Sequence, residues 1–335
     1  MMRNYSDEPL IDSYGRTVSY VRLSVTDRCD FRCVYCMSED MIFVPRAQVL
    51  TLEELGLIAR AFSELQVSKI RITGGEPLVR KNVQQLFNEV GALPGVEELV
   101  LTTNGSQLPR MAADLKAAGV RRINISLDTL KADKFKQLTR TGDLSKVLAG
   151  IDAAIKVQFE KIKINAVILK NRNDDEVTDL VNFAIDRDLD ISFIEEMPLG
   201  EVSNRNRQEG YYSSDEIKSD LAQSFELVDT TETTGGPSRY VKIHGTNTRV
   251  GFISPHSHNF CATCNRVRVT AEGLLLLCLG QEHSVDLRKV IRSNPGDLDK
   301  LKQVIRDAMS IKPEGHDFDL SVKPIIFRHM NSTGG

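Results

Sequence analysis

Three cysteines fall within eight residues of the stretch CDFRCVYC, residues 29 to 36. Cys29, Cys33 and Cys36 have the spacing C-x3-C-x2-C, one ligand short of the four that usually hold structural zinc or an iron–sulfur cluster. A cluster held by three thiolates leaves one iron free to bind a small molecule. The spacing therefore predicts a metal centre at which a substrate or cosubstrate binds. A zinc knuckle or a buried cysteine cluster is the alternative.

The other three of the six cysteines form a second group near the C-terminal end. Cys261, Cys264 and Cys278 are spaced C-x2-C-x13-C, so this group also predicts a cluster with one open iron position. Directly after Cys264, the run NRVRV carries Arg266 and Arg268, which share one face of a predicted strand. Their planar guanidinium groups suit a phosphate or a purine edge, and a solvated strand face is the alternative.

The composition indicates a globular protein, with 41% hydrophobic and 27% charged residues among 335 and a formal net charge of -3. This balance gives no support to nucleic-acid binding by bulk charge. No segment approaches the roughly 18 apolar residues needed to span a bilayer, and no apolar leader is present. We therefore expect a cytoplasmic location, where clustered cysteines bind metal or do redox chemistry more often than they form disulfides.

The first 200 residues alternate β-rich runs with helical patterns, which predicts βαβ units and a parallel sheet. Six such units fit an incomplete (β/α)6 barrel, and a doubly wound open sheet fits the same pattern. The predicted strands are VRLSV (21–25), KIRIT (69–73), ELVLTTN (98–104), RINISLD (122–128), KIKINAVIL (161–169) and DISFIEEMP (190–198).

Two local signals mark element boundaries. Thr51 and Glu54 have the spacing of a capping box and precede an apolar helical pattern that ends near Leu65. Residues 199–215 are polar and predict a loop between two domains, 1–200 and 201–335. Helical patterns resume near 284–309.

The first cysteine group resembles the signature of the radical S-adenosylmethionine (SAM) enzymes. The resemblance implies that the free iron chelates the amino and carboxylate groups of SAM, which an electron then cleaves to methionine and a 5′-deoxyadenosyl radical. It places Tyr35 by the adenine and the GGEP turn, which follows the second strand, at the methionine amino group. The implied SAM-binding residues are Tyr35, Gly74, Gly75, Glu76, Ser126 and Met197.

Taken together, the motifs resemble the GTP 3′,8-cyclase family (molybdenum cofactor biosynthesis protein A) over nearly the whole chain. They are VRLSVTDRCDFRCVYCM, IRITGGEPLVR, LTTNG, NISLD, FIEEMPLG, FCATCNRVRV and the terminal Gly–Gly. The resemblance implies a radical SAM partial barrel with a C-terminal α+β extension that carries a second 4Fe–4S cluster. It also implies a carbon–carbon lyase that converts GTP to (8S)-3′,8-cyclo-7,8-dihydroguanosine 5′-triphosphate, the first step of molybdenum cofactor biosynthesis.

The same resemblance assigns the substrate site. The free iron of the second cluster would contact guanine, and Arg22, Arg266 and Arg268 would hold and polarise the substrate as catalytic residues. GTP carries about four negative charges, which a closed site must match with cationic partners. The implied GTP-binding residues are Arg22, Arg71, Thr102, Lys163, Arg266 and Arg268.

The resemblance also implies partners. Flavodoxin or ferredoxin would donate electrons, and the product would pass to pyranopterin monophosphate synthase. A monomer or homodimer is expected, with neither nucleic acid nor membrane as a partner. His256 and His258 are expected to lie outside the chemistry.

Some positions depart from the usual family pattern. Asp30 and Ser38 stand where Asn and Pro are common, Glu196 replaces an aromatic residue, and Leu274 to Leu277 replace a more polar stretch. The leucine run bears on packing around the second cluster.

Two other functions remain as alternatives. A radical SAM peptide maturase also uses C-terminal cysteines, although such domains carry more than three. A non-catalytic zinc or iron–sulfur protein, such as an electron carrier, would leave GGEP and the paired arginines unexplained.

The chain ends in NSTGG, and two interpretations are open for Gly334 and Gly335. Composition favours a disordered polar tail. The family resemblance implies that the tail reaches into the active site, where glycine can adopt backbone angles closed to other residues. Its terminal carboxylate would then pair with Arg22 or Arg268.

Overall fold

The computed structural model describes residues 8–38, 40–200, 207–320, 326 and 328–334. Strands and helices alternate through the first part of the chain, as predicted. These strands are β1 (Tyr20–Ser24), β2 (Lys69–Thr73), β3 (Glu98–Thr103), β4 (Val120–Ser126), β5 (Lys161–Val167) and β6 (Asp190–Ile194). The helices are α1 (Leu52–Glu64), α2 (Val83–Gly91), α3 (Leu108–Ala117), α4 (Ala132–Thr139), α5 (Leu144–Lys156) and α6 (Val177–Ile185).

The six strands pair in parallel and in chain order, from β1 to β6. A doubly wound sheet reverses its strand order at a switch point, and this sheet does not. Its outer strands β1 and β6 each pair with a strand from later in the chain rather than with each other. The prediction of an incomplete (β/α)6 barrel is therefore confirmed, and the doubly wound alternative is excluded.

The later part of the chain extends the sheet at both edges. Its elements are α7 (Ser214–Ala222), β7 (Leu227–Asp229), β8 (Arg239–Ile243), β9 (Arg249–Ile253), β10 (Arg266–Val269), β11 (Leu274–Leu276), β12 (Ser284–Asp286), α8 (Leu287–Ser293), α9 (Leu298–Ala308) and α10 (Met330–Thr333). β9 pairs in parallel with β6, and β10 pairs in parallel with β1. Antiparallel strands β8 and β7 complete one edge, and β11 and β12 complete the other.

The apolar side chains of the sheet pack under the helices. Ile70 and Ile72 of β2 are fully buried in the core that includes Phe62 of α1. The predicted capping box starts α1: the Thr51 hydroxyl accepts from the amide of Glu54, and the Glu54 carboxylate accepts from the amide of Thr51. This local prediction is confirmed, because the signal needs only four residues.

The leucine run forms β11, and Leu275, Leu276 and Leu277 are fully buried. The run is thus core packing directly before Cys278. Residues 201–206 of the predicted 199–215 loop, and Gly335, lie outside the described residues. None of the helices in the described part of the chain combines the length and apolar character needed to cross a bilayer. The domain boundary at residue 200 stays a prediction.

Candidate active site

Side chains on one face of the sheet line a large cavity. Along β1, Val21 and Leu23 are fully buried in the core, whereas Tyr20 and Arg22 line the cavity. The same period of two recurs in β2, β4, β5 and β10, because successive residues of a strand face opposite ways. The cavity has about 1660 Å³ of empty space, open solvent included.

The first cysteine group lines this cavity just beyond the carboxyl end of β1. Cys29, Cys33 and Cys36 are all partly buried. Burial raises the pKa of each thiol, to about 12 for Cys36, and the neighbouring Cys36 further raises the pKa of Cys33. Thiolates bind metal, so these groups need a nearby positive centre to ionise. That requirement fits a bound iron–sulfur cluster.

No three His, Cys, Asp or Glu side chains within the described ranges are grouped so as to hold one metal ion. A zinc knuckle requires its ligands to converge on one ion. In a 4Fe–4S cluster each thiolate binds a different iron of the same cluster, so the ligands need not converge on one ion.

The GGEP turn follows β2 and is closely packed against the cysteine loop. A Cβ added to Gly75 would lie 2.5 Å from the carbonyl oxygen of Arg28, and one added to Gly74 would lie 2.6 Å from that of Thr26. Both glycines line the cavity. Only glycine permits this approach of the turn to the loop that carries the first cysteines.

Glu76 is placed differently from its two glycine neighbours. Its carboxylate is fully buried and accepts hydrogen bonds from the amides of Leu78 and Asn104 and from the Thr103 hydroxyl, at 3.0, 2.6 and 2.7 Å. Burial raises the pKa of Glu76 to about 7, although the hydrogen bonds from these three donors act to lower it. Glu76 is not among the residues that line the cavity. Its side chain ties the GGEP turn to the end of β3.

We expect Glu76→Gln to destabilise the fold by about 1–3 kcal/mol, because one amide N–H of the new side chain would face a backbone donor. Chemical denaturation would measure this change. Glu97→Gln is the matched control, since Glu97 is exposed. Equal stability of the two variants would contradict an anchoring contact at Glu76.

The remaining residues implied for SAM line the same cavity. Tyr35 donates a hydrogen bond to Asp128 Oδ2 at 2.7 Å, which fixes the ring between the second and third cysteines. Ser126 at the end of β4 and Met197 after β6 also line the cavity. Strand ends thus bring residues from four segments to one edge of the sheet.

Cationic side chains line the cavity nearer the amino ends of the strands. Arg268, Arg22 and Arg71 lie side by side on β10, β1 and β2, in paired register. Burial lowers the pKa of Arg22 to about 10, and burial followed by repulsion from Arg22 lowers the pKa of Arg268. Three guanidinium groups are therefore held together at an electrostatic cost that a bound polyanion would relieve.

The other residues implied for GTP lie beside this row. Arg71 Nη1 donates to Thr102 Oγ1 at 2.9 Å, and Lys163 Nζ donates to the Tyr240 hydroxyl at 3.2 Å. Burial lowers the pKa of Lys163. Arg266 precedes Arg268 by two residues on the same face of β10, as predicted, and all of these residues except Tyr240 line the cavity.

The second cysteine group is not among the residues that line the cavity. Burial raises the pKa of Cys278, the positive charge of Lys312 lowers it, and Cys264 and Cys261 each raise it. The three thiols therefore lie within electrostatic reach of each other. The buried Lys312 lies with its Nζ 3.7 Å from Cys264 Sγ. β10, which carries the arginines, connects this group to the cavity.

The C-terminal segment enters the cavity and contacts the arginines. Asn331 of α10 is buried and donates to the carbonyl oxygen of Asp27 at 2.8 Å. The carbonyl oxygen of Gly334 accepts from Arg22 Nη2 at 2.9 Å and from Arg268 Nη1 at 2.8 Å. A disordered tail is therefore wrong for the described residues. Among the described residues of this segment, the backbone carbonyl of Gly334 is the group that bridges the two arginines. The predicted pairing of the terminal carboxylate falls on Gly335, which lies outside the described residues.

Gly334 has little space and an unusual backbone. Its φ is +77°, and a Cβ there would lie 2.4 Å from Thr73 Cγ2. A side chain at this position would meet both strain and a clash.

Two departures from the family pattern, Asp30 and Glu196, have specific contacts. Asp30 accepts from Asn104 Nδ2 at 2.6 Å and from the Ser106 hydroxyl at 2.7 Å. Glu196 lines the cavity and pairs with Arg207 Nε at 3.5 Å. His256 and His258 are not among the lining residues.

Several lining residues were missed by the sequence analysis. They share a face with predicted residues, two positions away on the same strand, and this period was the available signal. They are Tyr20, Lys69, Arg122, Asn124 and Asn165 on the strands, with Asn104 and Asp128 at strand ends.

Comparisons with known proteins agree with this geometry. The Radical SAM superfamily model matches residues 23–184, and the Molybdenum Cofactor Synthesis C model matches residues 189–318. The crystal structure of Streptococcus suis SuiB bound to S-adenosylmethionine shares the fold, with a TM-score of 0.60 at 15% identity, and the match covers 88% of this chain and 69% of that one.

Curated relatives match almost end to end. GTP 3′,8-cyclase of Saccharophagus degradans is 60% identical over 326 residues, which are 97% of this chain and 98% of that protein. GTP 3′,8-cyclase of Pseudomonas putida (strain W619) is 59% identical over 327 residues, with the same shares, and that of Marinobacter nauticus is 58% identical over 326. The chain belongs to the GTP 3′,8-cyclase family of the radical SAM superfamily.

Proposed function

We propose that this chain converts GTP to (8S)-3′,8-cyclo-7,8-dihydroguanosine 5′-triphosphate, the first step of molybdenum cofactor biosynthesis. One observation carries the assignment: a single cavity holds three partly buried thiols at one edge and, nearer the amino ends of the strands, three arginines in register. Of these arginines, Arg71 is buried and Arg22 and Arg268 are partly buried. The thiols suit a redox cluster, and the arginines suit a polyanion. The family to which the chain belongs supports the same reaction.

We assign Cys29, Cys33 and Cys36 to the 4Fe–4S cluster that binds SAM. With SAM bound, this cluster would supply the radical chemistry that removes hydrogen from ribose C3′ of GTP. One electron and one proton would then complete the bonding of C3′ to guanine C8. The protein holds the two substrates in reacting geometry and keeps water from the site.

The SAM contacts follow from placement in the cavity. Gly74 and Gly75 would present backbone groups to the methionine part. Their close packing against the cysteine loop, where a side chain would clash, supports this role. Glu76 would act through its anchoring of the turn. Tyr35, Ser126 and Met197 would surround the rest of SAM.

The GTP site is assigned to the cationic face. Arg22, Arg266 and Arg268 would hold and polarise the substrate, and Arg71, Thr102 and Lys163 would complete the contacts. About four negative charges on GTP would offset the mutual repulsion of the guanidinium groups.

We assign a second 4Fe–4S cluster to Cys261, Cys264 and Cys278, with guanine at its open iron. The fit rests on the donor set: three thiols of which one, Cys264, has the ammonium group of Lys312 beside it. Arg16 braces the same region by donating to the carbonyl oxygen of Cys261 at 2.8 Å.

Flavodoxin or ferredoxin is proposed as electron donor, and pyranopterin monophosphate synthase as the next enzyme. A cytoplasmic monomer or homodimer stays our expectation. The peptide maturase alternative rests only on a shared fold at low sequence identity. A non-catalytic role gives no reason for the arginines that line the cavity.

The test is anaerobic reconstitution followed by incubation with SAM, GTP and dithionite. We expect about eight irons per chain, as two 4Fe–4S clusters require, and a cyclised nucleotide in the mass spectrum. ATP in place of GTP is the control for substrate choice. A colourless zinc protein, or fully loaded enzyme without cyclised product, would rule out the assignment.

Arg268→Ala should weaken GTP binding roughly 10- to 150-fold, because a charge-assisted contact in a closed site contributes about 1.5–3 kcal/mol. SAM affinity should change little. Equilibrium binding of each ligand would measure both effects. Arg239→Ala is the matched control, since Arg239 is an exposed arginine of β8.

Arg268→Lys should recover only part of the affinity, because lysine lacks the planar fork. Equal losses of GTP and SAM affinity in Arg268→Ala would indicate unfolding instead.

A further inference from the structure

Tyr20 lies beside the row of arginines on β10, β1 and β2, and the proposed reaction assigns no role to its side chain. Its hydroxyl oxygen accepts from Arg71 Nε at 2.5 Å and from Arg22 Nη1 at 3.4 Å, and only 2% of the residue is exposed. Guanidinium groups can only donate. No acceptor for the phenolic proton itself is found in the part of the chain that the structure describes. The geometry therefore suits an oxygen without its proton.

The charged groups that face Tyr20 are almost all positive. Arg22 shares β1 with it, Lys69 and Arg71 face it from β2, and Arg266 is its register partner on β10. Lys69 Nζ lies 5.1 Å from the centre of the Tyr20 ring.

Among the described residues, the carboxylate of Glu98 lies near this group. Glu98 of β3 accepts from Lys69 Nζ at 2.6 Å and pairs on its other oxygen with Arg122 of β4. Burial acts to raise the pKa of Tyr20, but Arg71, Arg22 and Lys69 outweigh it and lower the pKa to about 7. Above about pH 7 the phenolate is thus an internal counterion of the arginines.

We propose that Tyr20 is a positioning residue whose phenolate holds Arg22 and Arg71 before substrate binds, and that it takes up a proton when a triphosphate becomes their anion. The inference rests on the proposed assignment of GTP to these arginines. The proton comes from solvent, and the phenolate becomes a phenol without change of oxidation state. Tyr20 then remains a neutral neighbour rather than a charge that repels the phosphates.

The proposal fixes the sign of a pH effect. Above pH 7 the free protein carries the phenolate and the complex carries the phenol, so binding takes up a proton. The association constant should therefore fall with rising pH, by up to about tenfold per unit. A protonated terminal phosphate, whose pKa is about 6, would instead release a proton on entering a cationic site.

Isothermal titration calorimetry tests this on the reconstituted protein at about pH 8, one unit above the pKa. GTP and inorganic triphosphate are titrated in two buffers of different ionisation enthalpy, which gives the number of protons exchanged. Tyr20→Phe keeps the ring and removes the hydroxyl. Tyr14→Phe is the matched control, because Tyr14 is 52% exposed and lies outside the site.

The wild type and Tyr14→Phe should take up about one more proton per ligand than Tyr20→Phe does. Burial lowers the pKa of Lys69 and the charge of Tyr20 raises it, so the difference reports Tyr20 together with its neighbour Lys69. Equal proton uptake in all three would overturn the proposal. If Tyr20→Phe fails to fold, the wild type still decides: an absence of uptake at about pH 8 would overturn it.

The two ligands separate this inference from the proposed function. Triphosphate binding with proton uptake but without GTP binding would leave Tyr20 in its role and remove the cyclase assignment. GTP binding and turnover without Tyr20-dependent proton uptake would support the cyclase assignment and remove the proposed role of Tyr20. If neither ligand bound, both proposals would fall.

Discussion

Replacing Cys33 by serine is expected to abolish reductive cleavage of SAM, whereas replacing Cys264 should leave SAM cleavage and eliminate the cyclised nucleotide. The reason is the position of the two cysteine groups. Cys33 lines the cavity at the carboxyl edge of the sheet, beside the glycines of the GGEP turn. Cys264 lies off the cavity lining, just before the strand that carries Arg266 and Arg268, which we propose to bind GTP.

Product analysis would measure both activities separately: 5′-deoxyadenosine for SAM cleavage and cyclised nucleotide for turnover. Each variant should retain about four irons, the content of one remaining 4Fe–4S cluster. Cys33→Ser serves as the control for Cys264→Ser, and the reverse. Loss of both activities in each variant, with the other cluster intact, would contradict the division of tasks.

Removing Gly334 and Gly335 should eliminate cyclisation of GTP while iron content and fold are kept. The carbonyl oxygen of Gly334 bridges Arg22 and Arg268, so the tail orients two of the proposed substrate contacts. Gly334→Ala alone should have a similar effect, because its Cβ would clash with Thr73. Turnover assays and thermal unfolding of the loaded protein would measure these effects.

Ser332→Ala is the matched control for the tail, since the Ser332 hydroxyl bonds only to the nearby carbonyl oxygen of His329 in the described residues. Full activity of the truncated protein, with unchanged iron content, would show that the tail only packs against the site.

The sequence predicted what local patterns encode. The helix start at Thr51 depends on contacts within four residues, and the strand–helix alternation needs only period and length. The same signals fit both a (β/α)6 order and a doubly wound sheet, and the family resemblance favoured the partial barrel. The shared face of Arg266 and Arg268 needed only the period of a strand.

Other features depend on contacts between distant segments. No local pattern shows that β9 pairs with β6 or that β10 pairs with β1, because these pairings depend on contacts between segments far apart in the sequence. Glu76 looked like a ligand residue because it belongs to GGEP, but its carboxylate is taken by donors at the end of β3. Tyr20 carried no motif, and only the neighbouring strands give it its charge environment.

The pairing of β10 with β1 has a consequence for how the protein is made. The ribosome releases β1 early, and the edge of β1 that pairs with β10 stays unpaired until β10 has been synthesised near the end of the chain. An unpaired strand edge invites association with other chains. Such a long-range closure also slows folding, because distant segments must meet before the contact forms. Nascent chains of this protein should therefore depend on chaperones until the last third emerges, and no substrate site can exist before then.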